Sequence, residues 1–350
     1  MLKIKFFISA ALFVSVITGC SDGKEAKPRL FTDEIRLSST PVKDQGSSPL
    51  CWAYAMLATI ETEHIQRGDS VNLSPAFVAR AFMKEQVDRC YLSRGRHKIT
   101  LRGVMPQLVR IIETYGLMPY DSYHTDANMN VAARKIDNIA AALASRESGL
   151  QRARRECDNI LDNSVNPLPR RVYMLGMEYT PIEFAHSVCM PDEYVGFTSF
   201  LHEPMNKDVV LRLPDNYNDD TFCNVPIDKL MTMMEHSVRS GHPVCWEGDV
   251  SERSFSFANG IADVPASRRG CTQDMRQREF EALRTTDDHC MAIIGIAHDS
   301  DGRKYFICKN SWGTSNPYGG MMYMSFDYAR LKTIAVMLNA ITLQSVSSKE

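Results

Sequence analysis

Cys51 ends the turn-rich loop Asp44-Gln45-Gly46-Ser47-Ser48-Pro49-Leu50 and opens an apolar run, 52–63, that contains neither Gly nor Pro. A thiol delivered there meets the unpaired N–H groups of a helix start, whose partial positive charge favours the thiolate, the form that attacks. Far downstream come Asp288-His289-Cys290-Met291 and then Lys309-Asn310-Ser311-Trp312-Gly313. An imidazole brought to the sulfur would take its proton, and an amide at the other ring nitrogen would hold that imidazole in place. Cys51, His289 and Asn310 in that order therefore suit nucleophilic acyl transfer, with Trp312 placed to keep water off the His–Asn bond. Gln45, six positions before the cysteine, can supply a side-chain N–H that joins the Cys51 backbone N–H as an oxyanion hole. Taken singly, each has a plainer reading: a small buried hydrophobe, a satisfied core histidine, a turn residue and a solvated loop amide. Their joint order favours chemistry.

These groups need a helix and a set of strands to hold them. Apolar spacing and start signals predict helices over 52–63, over 74–88 with Ser74-Pro75 as its start, and over 105–115. Two more exposed helices are expected at 130–145 and 150–161, and another at 226–240. Strand-like runs follow at 243–250, 290–298, 305–309, 321–326 and 335–343. His289 and Asn310 thus belong to a β-rich half, and Cys51 to a helical one.

Gln45, Cys51-Trp52, Asp288-His289 and Asn310-Ser311-Trp312-Gly313 resemble the motifs of papain-like cysteine peptidases. Val87-Asp88-Arg89-Cys90-Tyr91, Glu113-Thr114-Tyr115-Gly116-Leu117-Met118-Pro119, Tyr179-Thr180-Pro181-Ile182-Glu183-Phe184 and Gly241-His242-Pro243-Val244-Cys245-Trp246-Glu247-Gly248-Asp249-Val250 resemble, in order, the bleomycin hydrolase and aminopeptidase C branch. The resemblance implies an α+β fold of two lobes with the active site in the cleft between them. It further implies a peptide or protein substrate, Gly103, Arg102, Asp288 and Trp312 at the substrate-binding surface, and no cofactor beyond a reduced thiol. The corresponding division is a helical lobe at 38–123, a helical insertion at 124–170 and a β-rich lobe at 171–345. The gap of about 240 residues between Cys51 and His289 calls for insertions, of which the segment 251–286 is the best candidate for a substrate-facing loop.

Three departures bear on specificity. Ser47-Ser48-Pro49-Leu50 stands where papain-like enzymes usually carry glycine, and Arg102 replaces one of the glycines that would lie along the peptide. Gly103 retains the close backbone approach that lets a peptide add as a strand. The chain reaches Glu350 soon after its last strand-like run, without the long arm that fills the cleft of the aminopeptidase branch, so a more open cleft is expected. An aminopeptidase and a non-catalytic peptide-binding protein on the same scaffold are the competing readings.

The first residues carry a separate signal. Lys3 and Lys5 precede an apolar run, 6–17, too short to span a bilayer comfortably, and it ends in Ile17-Thr18-Gly19-Cys20. This resembles a bacterial lipoprotein signal over 1–19, with Cys20 as the lipidated residue, a flexible polar tether at 20–37, and attachment to a membrane of the bacterial cell envelope. With 44% hydrophobic and 23% charged residues and a net charge of −2, the full sequence has the composition of a globular protein, and its basic clusters read as solvated faces rather than nucleic-acid sites. Ten cysteines show no metal-like pairing, so no metal is expected, and Cys245, Cys290 and Cys308 read as buried thiols.

Overall fold

In a computed structural model, residues 30–174 and 176–343 are described; the signal segment and Cys20 lie outside the described residues. After strand β1 (Phe31–Arg36), the chain forms five helices: α1 (Cys51–Gln66), α2 (Pro75–Leu92), α3 (Met105–Tyr115), α4 (Met129–Ser145) and α5 (Leu150–Ser164). Local chemistry explains their limits. The Ser74 hydroxyl accepts the Phe77 N–H, with Pro75 at the first helical position of α2. Asn128 caps α4 in the same way. On α4, Ala132, Ala133, Ile136, Ala140 and Leu143 form one buried stripe, and Ala153, Cys157 and Leu161 form the matching stripe on α5. Helix α1 differs, because it is buried on nearly every side from Trp52 to His64. A helix apolar all round belongs in the centre of a molecule.

The hairpin β2 (Val172–Met174) and β3 (Met177–Tyr179) leads to α6 (Pro181–Val188), started by a capping box between Thr180 and Glu183. Then come β4 (Tyr194–Thr198), β5 (Lys207–Val210), β6 (Thr221–Asn224), α7 (Ile227–Arg239) and β7 (Val244–Gly248). Short strands β8 (Phe255–Ser256) and β9 (Ile261–Ala262) and helix α8 (Gln273–Glu281) precede β10 (His289–Asp299) and β11 (Lys304–Lys309). The chain closes with β12 (Met321–Ser325), α9 (Phe326–Lys332) and β13 (Thr333–Asn339).

The large sheet runs β5-β6-β4-β13-β7-β10-β11-β12-β9-β8. Its pairs are antiparallel except β4 with β6 and β9 with β12. Strands β7 and β1 lie end to end along one side of β10, meeting its first and second halves in turn. One apolar core fills the space between the helices and this sheet, and a second lies on the other side around α7 and α9. Helix α1 packs along β10, so the thiol-bearing helix start and the imidazole-bearing strand start face one cleft.

Several sequence expectations change here. Residues 31–36, read as the end of a tether, are strand β1, and the Phe31 ring stacks on Tyr323 with centroids 3.9 Å apart. The last strand ends at Asn339 rather than 343, where the chain turns and Asn339 accepts the Ile341 N–H. Strands β4 to β6 have no counterpart in the sequence reading, because their short runs are broken by Pro, Asn and Asp. Segment 251–286 is largely built into the fold through β8, β9 and α8.

Candidate active site

Cys51 is the first residue of α1, preceded by Leu50, whose side chain offers no hydrogen-bonding cap. The helix start therefore keeps N–H groups directed toward the cleft. His289 is the first residue of β10, and Asn310 follows the last residue of β11. Antiparallel register, with Ala292 opposite Lys309, carries the two side chains to the same end of the strand pair. There the His289 Nε2–H donates to Asn310 Oδ1 at 2.8 Å, which leaves Nδ1 as the ring nitrogen for the sulfur. Asn310 Oδ1 also accepts the Ser311 backbone N–H at 2.7 Å, and that second bond fixes the amide. Both residues are buried, and the Trp312 ring covers His289 with centroids 4.4 Å apart and planes at 33°. Phe255 and Phe257 brace Trp312 edge-on at 5.9 and 5.4 Å.

Two neighbours polarise the sulfur. The Cys51 thiol is held well below the ordinary cysteine range, first by a hydrogen bond from Cys290 and then, against the opposing effect of burial, by the hydrogen bond and charge of His289. Burial acts the other way at the cysteines without such partners: it pushes Cys189 up to about 12 and Cys245 well above its usual value. All nine cysteines among the described residues are free thiols. Cys290, read from sequence as an inert buried thiol, thus gives the largest single cause of the lowered Cys51 pKa; the local signal was its position next to His289.

Gln45 reaches the site through a tight loop. Its backbone N–H donates to Ser311 O at 2.8 Å and its Oε1 accepts the Ser311 hydroxyl at 2.6 Å. Nε2, with two N–H groups, gives one to Ser48 O at 2.7 Å beside the cleft. Gly46 makes this loop possible, with a backbone in the left-handed region at φ 58°. Gln45, Cys51, Gly103, Asp288 and Trp312 together wall a cleft of about 150 Å³, into which Pro49 also protrudes.

Gly103 packs closely on the nucleophile helix: a Cβ there would lie 3.0 Å from the Trp52 ring, which would have to give by a few tenths of an ångström. Arg102 also lines the cleft, with its guanidinium held on Asp215, Nε 2.9 and 2.8 Å from the two carboxylate oxygens. The Tyr217 hydroxyl pins the Arg102 carbonyl at 2.6 Å. Asp288 is exposed at the rim and accepts the Thr286 hydroxyl at 2.9 Å. Two further carboxyls, Asp287 in the cleft wall and Glu247 buried behind it, escaped the sequence reading together with Asp215. A glutamate directly after the apolar run 243–246, within a strand-like segment, was the available signal.

The arrangement can generate a thiolate, hold an imidazole beside it and offer N–H donors to a developing oxyanion. Comparison with known proteins gives the same class. Aminopeptidase W of Lactobacillus delbrueckii subsp. lactis is 26% identical over 360 residues, covering 87% of this chain and 82% of that protein. The cysteine endopeptidase Rep1 of Oryza sativa subsp. japonica is 45% identical over 40 residues, 11% of each chain. Among solved structures, PepW from Lactobacillus rhamnosis HN001 shares the fold with a TM-score of 0.66 at 17% identity, over 91% of this chain and 85% of that one. The Peptidase C1-like family matches residues 171–347, slightly more than half of the sequence. The chain therefore belongs to that family, as a papain-like cysteine peptidase of the bleomycin hydrolase and aminopeptidase C branch.

Proposed function

We propose that this peptidase cleaves peptide bonds through a Cys51-His289-Asn310 triad and a thioester acyl-enzyme. The observation that carries this reading is the His289–Asn310 hydrogen bond on one side of a cleft whose other side holds a sulfur with a weakly held proton. Cys51 Sγ attacks the scissile carbonyl, and the Cys51 backbone N–H with the second Gln45 Nε2–H receives the oxyanion. His289 carries the thiol proton to the leaving amine, whose departure leaves the acyl group on sulfur. Water, deprotonated by the same imidazole, then releases the acid and restores the thiol. Asn310 keeps the ring facing Cys51 throughout, and Trp312 shields their bond. Gly103 offers its backbone to the bound peptide, with Arg102 and Asp288 at the rim.

The same reading extends to position in the cell. The Lys3–Cys20 signal pattern supports acylation of Cys20 and attachment to the bacterial envelope, with the catalytic domain held on a tether that ends before β1. Loss of detergent-phase partition in Cys20→Ala checks it.

Labelling with an irreversible peptidyl epoxide, followed by mass spectrometry of the modified residue, tests the catalytic reading. Selective modification of Cys51 that falls at least about a hundredfold in His289→Ala is the expected result. Indiscriminate labelling, or equal labelling in the variant, would replace it with a peptide-binding protein on a peptidase scaffold. Comparing amino-blocked and free-amino peptides then separates endopeptidase from aminopeptidase action.

A further inference from the structure

Glu247 sits in the middle of the sheet, fully buried, opposite Cys290 on one side and Ala335 on the other. Among the described residues, neither of its carboxyl oxygens has a hydrogen-bond donor, and neither does the buried Asp287 Oδ2. The two carboxyls face each other within hydrogen-bonding reach, and Asp287 forms part of the cleft wall beside Cys51. Two carboxylates in such contact repel unless they share a proton, so the pair retains one negative charge when one proton is held between them. Arg102, whose charge acts on Asp287, is already held on Asp215. A buried charge left without a partner is costly. The cleft thus contains, in the wall it shares with the sulfur, an acidic site suited to a cation.

We propose that the Glu247–Asp287 pair is the specificity site of this cleft and that it selects a positively charged nitrogen of the peptide, an ammonium or guanidinium; the inference rests on the peptidase reading above. A cation arriving from the open side meets Asp287 first, and Glu247 behind it supplies the charge that Asp287 shares. As the cation binds, the shared proton can leave to solvent, so the site exchanges one positive charge for another. Arg102 limits the site on its outer side: by holding Asp215, it keeps that carboxylate from competing for the ligand. Two parts of a peptide carry the required chemistry, a lysine or arginine side chain and a free amino terminus.

Peptide affinity in the full chain carrying Cys51→Ala distinguishes these sources and does not depend on turnover. One pair of amino-blocked peptides differs only in arginine against citrulline, its uncharged near-isostere; a second pair, with apolar side chains, differs only in a free against an acetylated amino terminus. Preference of about tenfold or more for the charged member of either pair is expected, and that pair identifies the source. In Asp287→Asn and Glu247→Gln, each added to the same background, the ratio should fall toward one. Asp287 lies at a strand end, so its variant answers the question even where Glu247→Gln fails to fold. Ratios within twofold for both pairs, or a preference untouched by Asp287→Asn, would overturn the inference. Absence of turnover and of Cys51 labelling in the unmodified protein would instead count against the peptidase reading, while cation selection by the Cys51→Ala protein would still support the acidic site.

Discussion

A thiol enclosed by apolar side chains ordinarily keeps its proton, as Cys189 and Cys245 do here, because burial penalises the charged form. Cys51 goes the other way because two neighbours stabilise its thiolate, Cys290 through a hydrogen bond and His289 through a hydrogen bond and its charge. Removing the Cys290 donor should therefore make the thiolate harder to form. In Cys290→Ala, alkylation of Cys51 at about pH 6 is expected to slow roughly tenfold, the effect of one hydrogen bond to a charged group, and its pH profile to move alkaline. Cys290→Ser, which keeps a donor, should recover most of the rate. Superimposable profiles for the three proteins would assign the low pKa to the helix start and His289 alone. Cys51, His289, Asn310 and Gln45 were readable because each lies in a distinctive local run. Cys290, Glu247 and Asp287 were not: their influence depends on which strand residue faces which, and the register Cys290↔Glu247 joins positions about 40 residues apart.

Strands and helices appeared in the sequence wherever an apolar pattern was long enough to show its period. Helix α3 spans the expected residues 105–115, and α1, α2, α4 and α5 extend their expected ranges by a few residues at one or both ends. Strand β1 was hidden because Thr32, Asp33 and Glu34 are exposed and its pairing partner, the far half of β10, lies some 260 residues away. The 251–286 segment was readable as an excursion but not as a brace. Its contribution is aromatic: Phe255 and Phe257 hold the Trp312 ring over the His289–Asn310 bond. An edge-to-face aromatic contact contributes about 0.5–1.5 kcal/mol beyond its buried area. Phe257→Ala should accordingly lower kcat about tenfold by admitting water to the His–Asn bond, with KM changed much less. Phe257→Leu, which restores apolar volume without the ring edge, should fall between the two. Steady-state kinetics on one peptide checks the series, and a loss confined to KM would make this segment a substrate contact instead of a brace.

The molecule is joined across its middle by charge as well as by apolar packing. Glu61 of α1 is fully buried; it accepts the Leu73 N–H at 2.7 Å, the Thr40 hydroxyl and the Lys43 ammonium. From the sheet side, Lys309 at the end of β11 donates to Thr40 at 2.6 Å and lies 3.9 Å from the Glu61 carboxylate. Lys309 immediately precedes Asn310, so this cluster ties the helix that bears Cys51 to the strand end that orients His289. Burial pushes Lys309 down to about 8, with Glu61 opposing that shift and Lys43 adding to it. Because its folded value lies below its unfolded one near 10.4, the unfolded chain binds more protons between those pH values, and this group's contribution to stability rises with pH across that window. Glu61→Gln leaves two ammonium groups facing each other without their carboxylate. Breaking a buried ion pair from one side costs about 3–5 kcal/mol, so urea unfolding at pH 7 should show a loss in that range. At pH 9 the loss should be smaller, since Lys309 can shed its proton in the folded variant. An equal loss at both pH values would mean that packing around Glu61, and not its charge, joins the two lobes. A loss of stability accompanied by slower Cys51 labelling, with Glu61 remote from the sulfur, would establish that the same buried cluster sets the alignment of the cleft walls.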